Sequence, residues 1–173
     1  MEISFVRTVG SRDRVYVRRT NGTETSWAFP SYGDYVPHDV VHLVVETGFG
    51  LRNGFWGKVD AGVDVARINA DANRTGGANK YAAFGADQLE LHIAEMLAGV
   101  RWHDSLLTDE DIRVEILRAA PQLAPLRLER IAEVRKTLDA LCARWVGLKP
   151  KGTLKASFDP RDLEASFREI SRE

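Results

Sequence analysis

The spacing of apolar and polar positions changes period several times along this chain, and each change marks an element. Over the first thirty residues the alternation has period two, as in half-buried strands. Ile3 and Phe5 face one way and Ser4 and Val6 the other; Val15 and Val17 alternate with Arg14, Tyr16 and Arg18. Gly10-Ser11-Arg12-Asp13 reads as a turn, Asn21-Gly22 as a hairpin, and residues 25–29 as a third strand closed by Pro30.

The period then lengthens. After a loop at Ser31 to Tyr35, Pro37 suits the first turn of a helix, where its missing N–H would be unpaired anyway. This helix is expected to run to about Thr47 and end at Gly48. GLRNGFWG, residues 50–57, is turn-rich, with Phe55 and Trp56 as a buried plug or, as the less favoured alternative, a ligand lid beside the histidines; residues 58–68 suggest a short helix. Residues 69–80 (NADANRTGGANK) are small and polar and read as a mobile loop.

From residue 86 to 100 the pattern is helical, with Leu89, Ile93, Met96 and Leu97 as one stripe. Thr108 with Asp111 predicts a capping box opening a helix that stops near Pro121. Leu128, Ile131, Val134, Leu138, Leu141, Cys142 and Trp145 mark the longest helix, with near-heptad spacing that suits a core seam and leaves a homodimer open. Leu154, Ala156 and Phe158 alternate as a fourth strand returning to the sheet, and Asp159-Pro160 opens a C-terminal helix over 159–173. The expected fold is one α+β domain spanning 1–173. A small antiparallel sheet, built from the N-terminal meander plus the late strand, carries helices packed on one face.

Candidate chemistry concentrates in Pro37-His38-Asp39-Val40-Val41-His42-Leu43-Val44-Val45-Glu46. At about 100° per residue, His42, Glu46 and Asp39 lie about 40°, 80° and 100° from His38, and the valines point the other way. Two imidazoles one turn apart on a shared face can bind one ion. An amphipathic surface helix gives the same pattern. Asp39 is also explained by the helix dipole, which favours acids in a first turn. That dipole disfavours a charged His38, and neutral imidazole is the metal-ligating form. Glu46 lies about 12 Å along the axis from His38 and leans back toward His42, as a third ligand or as an outer partner of His42. One helix rarely surrounds an ion, so His92, Glu95, His103 and Asp104 are candidates from other segments.

The pentad His38-Asp39-Val40-Val41-His42 resembles the zincin HExxH motif, with Asp39 one methylene shorter than the glutamate that acts there on zinc-bound water. The zincin downstream ligand pattern is not evident. The pentad is also similar to the HDxxH zinc motif of coenzyme Q biosynthesis proteins. That family carries a further glutamate about three turns after the second histidine, where this chain has Gly54. More broadly, the PHDxxH helix with the following Gly54-Phe55-Trp56-Gly57 resembles a family of uncharacterised bacterial proteins, a likeness that implies no activity.

Composition changes this picture little. Of 173 residues, 44% are hydrophobic and 28% charged, as in an ordinary globule, and the net charge of −1 argues against a dedicated polyanion binder. The first nineteen residues hold five arginines against Glu2 and Asp13, which reads as a solvated sheet face rather than a nucleic-acid surface. Cys142 is the sole cysteine, so no intramolecular disulfide forms. No signal peptide or membrane span is apparent, and a cytoplasmic protein is expected. Two functions fit. One is a metal-dependent, hydrolytic enzyme in which His38, His42 and Glu46 hold zinc or another divalent metal, Asp39 orients a ligand or accepts a proton, and residues 69–80 gate access. The other is a metal-free protein-interaction or structural domain. The partner, small molecule or protein, is left open.

Overall fold

The alternation of the first thirty residues becomes three antiparallel strands: β1 (Glu2–Val6), β2 (Asp13–Arg18) and β3 (Glu24–Phe29). The structure, a computed structural model, describes residues 1–8, 12–29, 36–72 and 88–172. Half of the turn expected at 10–13 and all of the loop at 31–35 lie outside those residues. The β2–β3 hairpin closes through Arg19 and Thr23, with Gly22 at φ 81° in the tight loop between them.

A fourth strand, β4 (Thr153–Ser157), pairs antiparallel with β1, with Ile3 opposite Ala156 and Phe5 opposite Leu154, giving the order β3-β2-β1-β4. Ile3, Phe5, Val15, Val17 and Leu154 are buried, whereas Arg14, Tyr16 and Arg18 are exposed. Among the described residues, helices therefore cover one face of the sheet.

Those helices are α1 (His38–Phe49), α2 (Phe55–Asp60), α3 (Val65–Ala72), α4 (Gln88–Ala98), α5 (Asp109–Ala119), α6 (Leu128–Gly147) and α7 (Leu163–Arg172), with a short 3-10 turn at Pro121–Leu123. Helix α5 opens with the expected capping box, in which the Thr108 and Asp111 side chains each accept from the other's backbone N–H. Ile131, Val134, Leu138, Leu141 and Trp145 of α6 form a core seam. Arg7 binds the end of α6, its guanidinium donating to the carbonyls of Trp145 and Val146 at 2.6 Å each.

Several boundaries differ from the sequence expectation. Helix α1 continues through Gly48 and ends at Gly50, whose left-handed φ of 74° provides the stop. Gly48 looked like a terminator but is a packing contact: a Cβ there would lie 2.8 Å from Val134 Cγ2. The single helix expected over 58–68 is instead two: α2 starts earlier, at Phe55, and Gly62, at φ 87°, lies in the break between it and α3. Residues 69–72 belong to α3, and the remainder of the expected loop, 73–80, lies outside the described residues. In α4, Ile93 and Leu97 are buried and Met96 packs against the core as expected, Leu91 and Ala94 join them, and Leu89 is exposed. The last helix begins at Leu163, because the Asp162 carboxylate accepts from Ala165 N and caps it; Asp159 instead binds Arg161 in the preceding turn.

Helix α1 positions the site. It packs against α2, α4, α6 and α7, and every residue from His42 to Gly48 is buried. Valine-rich segments have modest helix propensity, so enclosure on several sides holds this one helical. The solvated polar face allowed by the helical wheel is thereby corrected: α4 and the start of α2 cover it.

Candidate metal centre

Burying charged or polar groups is costly unless they find partners, so His42 and Glu46 must be satisfied within the fold. Glu46, fully buried in α1, accepts from Phe55 N at 2.8 Å through Oε1 and from Trp56 N at 2.9 Å through Oε2. These are the first two N–H groups of α2, which lack partners within their own helix. A carboxylate from one helix thus closes the start of another. The backbone at Gly54 makes room: a Cβ there would stand 2.5 Å from Glu46 Cδ.

The same carboxylate meets His42. Nδ1 of His42 lies 3.3 Å from Glu46 Oε1, and Nε2 lies 3.8 Å from Glu95 Oε2 on α4. Nδ1 therefore faces one carboxylate and Nε2 another, so a proton or a metal ion at Nε2 would be stabilised by Glu95. Burial opposes protonation of His42, but the Glu46 hydrogen bond and the charges of Glu46, Glu95 and Asp39 outweigh it and raise its pKa above 6.5. Glu46 is raised above the usual carboxylate range by burial, against the pull of His42 and the two backbone N–H groups.

His38 stands beside His42 with ring centroids 4.8 Å apart, edge to face. Its pKa is lowered, first by the partial enclosure of its ring and then by His42, so it stays neutral more readily than a free imidazole. One ligand atom each from His38, His42 and Glu95 lie within 4.8 Å of one another, the one such group of three among the described residues. Ligand atoms around a tetrahedral zinc sit about 3.3 Å apart. The group must therefore close by roughly 1.5 Å at its widest. His38 is exposed and the Glu95 side chain is 25% exposed, so both can rotate to do so.

No family model, curated protein or solved structure matches this chain. The site is therefore read from its own geometry.

The structure sorts the residues singled out in the sequence. His38 and His42 come together, and Glu95 of α4 joins them. Glu46, a candidate third ligand, is outside the group, because its oxygens are engaged by two backbone N–H groups and by Nδ1 of His42. Asp39 is half-buried, its Oδ2 accepting from Trp27 Nε1 at 2.9 Å; burial raises its pKa, and the Trp27 bond works against that. His92 is exposed and lies outside the group. His103 is exposed and pairs with Asp139 at 2.8 Å, while Asp104 caps Leu106 N and pairs with Arg101.

Three further residues line the site, and of these Trp27 was not found in the sequence as part of it. Trp27 reaches Asp39 from β3, a contact with no local signal. Phe55 stacks obliquely 5.4 Å from the His42 ring, and the indole N–H of Trp56 donates to the carbonyl of Asp39 at 3.0 Å. The expected plug and the wall of the site are thus the same two residues. Among the described residues, no helix is long and apolar enough to cross a membrane.

Proposed function

We propose that His38, His42 and Glu95 bind one divalent metal, zinc or an ion of similar preference, and that the centre serves a hydrolytic reaction. The observation that carries this reading is His42, buried, with one ring nitrogen on the Glu46 carboxylate and the other facing Glu95 beside His38. A histidine whose far nitrogen is held by a carboxylate is the usual companion of a metal-ligating imidazole. Two histidines and one carboxylate form a donor set that leaves coordination positions for water or substrate. The likeness of His38-Asp39-Val40-Val41-His42 to the HDxxH zinc motif agrees with it.

The bound ion would polarise a water or a substrate oxygen. The remaining chemistry belongs to the chain. His38 faces solvent, so the site is approached from its side. Asp39 is the candidate proton acceptor: Trp27 holds one of its oxygens, and its raised pKa moves it toward the range useful to a general base. Glu46 keeps its carboxylate on His42. The test is elemental analysis of purified protein, followed by hydrolysis of ester, amide and phosphoester panels with and without added metal. Near-stoichiometric metal and a metal-dependent activity lost in His42→Ala support the reading.

The second reading, a metal-free interaction domain, draws on a different observation. Capping of α2 by Glu46 is by itself sufficient reason for a buried carboxylate. Metal-free protein whose thermal stability ignores added zinc would favour it.

A further inference from the structure

A side chain at position 54 would displace the Glu46 carboxylate, which occupies that space. A Cβ on Gly54 would lie 2.5 Å from Cδ and 2.7 and 2.8 Å from the two oxygens. The carboxylate is held in three directions: by Phe55 N at 2.8 Å, by Trp56 N at 2.9 Å, and by His42 Nδ1 at 3.3 Å. Two of those donors are backbone atoms in the first turn of α2, so they cannot rotate away as side chains can.

We infer that Glu46 is a positioning residue and that the seat of α2 controls the metal centre through it. The first turn of α2 fixes the carboxylate, the carboxylate fixes the proton of neutral His42 on Nδ1, and Nε2 is thereby left as the lone-pair atom facing His38 and Glu95. Gly54 and Glu46 touch no bound ion, yet metal affinity depends on both. This deepens the metal reading above and rests on it for the affinity, though the tautomer of His42 is measurable without any metal. Loss of a partner that orients a metal-ligating histidine typically weakens binding about 10–100-fold.

The test combines nitrogen-15 imidazole NMR of the metal-free protein at alkaline pH with zinc affinity measured against a competing chelator. Wild type should show His42 as the Nδ1–H tautomer. Gly54→Ala, which drives the carboxylate off its seat, and the isosteric Glu46→Gln should both lose that tautomer's dominance. Both should bind zinc about 10–100-fold more weakly. The wild-type tautomer needs no variant, so the proposal stays testable if either variant fails to fold. A wild-type His42 carrying its proton on Nε2 overturns the proposal. Folded Gly54→Ala and Glu46→Gln proteins that bind zinc as wild type does overturn it as well. Wild type with the Nδ1–H tautomer but no zinc binding overturns the metal reading while upholding the control of His42 by Glu46.

Discussion

Glu46 Oε1 and His42 Nδ1 lie 3.3 Å apart, one helical turn from each other, and both side chains are buried. Neither is at home in the interior alone. The carboxylate satisfies two N–H groups at the start of α2, and the imidazole supplies its third contact. A buried pair of this kind is expensive to break, because removing one partner leaves the other unpaired.

Glu46→Gln should therefore lower stability by about 1–3 kcal/mol, since one amide oxygen must replace two carboxylate oxygens and the amide N–H₂ faces donors. Urea unfolding of the metal-free proteins measures this. An unchanged midpoint at unchanged slope contradicts it.

His38 and His42 should behave differently when removed. His38 is exposed, so His38→Ala should change metal-free stability by no more than about 0.5 kcal/mol while weakening metal binding. His42→Ala should weaken binding and also cost about 3–5 kcal/mol, because it empties a buried position and strips the buried Glu46 carboxylate of its one side-chain partner, leaving the two backbone N–H groups. Equal stability losses in the two variants would contradict the burial pattern.

The pH dependence has a definite sign. His42 has a folded pKa above its ordinary 6.5, so its contribution to metal-free stability is complete below 6.5 and is lost as pH rises through the folded value. Glu46, raised above 4.5, acts in the same direction: the folded state keeps its proton longer, and stability falls as pH rises above 4.5. His38, with its lowered pKa, opposes both. Thermal melts of wild type and His42→Gln across pH 5 to about 9 should show the loss above 6.5 reduced in the variant. Zinc affinity should run the other way and strengthen with pH, because ion and proton compete for His42 Nε2.

The His103–Asp139 pair is the negative control. It is short, at 2.8 Å, but its side chains are 37% and 66% exposed. His103→Asn should cost less than about 1 kcal/mol and leave zinc binding unchanged. A loss of zinc in this variant would move the metal site away from α1.

Much of the architecture was legible because one period dominates each segment. Ile3, Phe5, Val15 and Val17 alternate because one sheet face is covered, and the α6 stripe follows the core it fills. Thr108–Asp111 is a purely local device and reads directly. The misreadings share a cause: they depend on what lies across from a residue. Gly48 has the composition of a helix stop, but its missing side chain admits Val134. Leu89 fits a helical stripe, and the core instead takes Leu91 and Ala94. At the site, the spacing of His38 and His42 was visible, whereas the choice of Glu95 over His92, His103 and Asp104 was not. A helical wheel also could not tell that Glu46 meets the N–H groups of Phe55 and Trp56. Gly54 before two aromatics was the one sequence trace of that contact.

The most direct measurement of the central claim is zinc titration against a chromophoric chelator for wild type, His38→Ala and Glu95→Gln, with elemental analysis of each. We predict one zinc per wild-type chain and binding at least about tenfold weaker in each variant, with all three proteins folded. Wild type that takes up no zinc, or a Glu95→Gln protein that binds it as wild type does, would contradict the account.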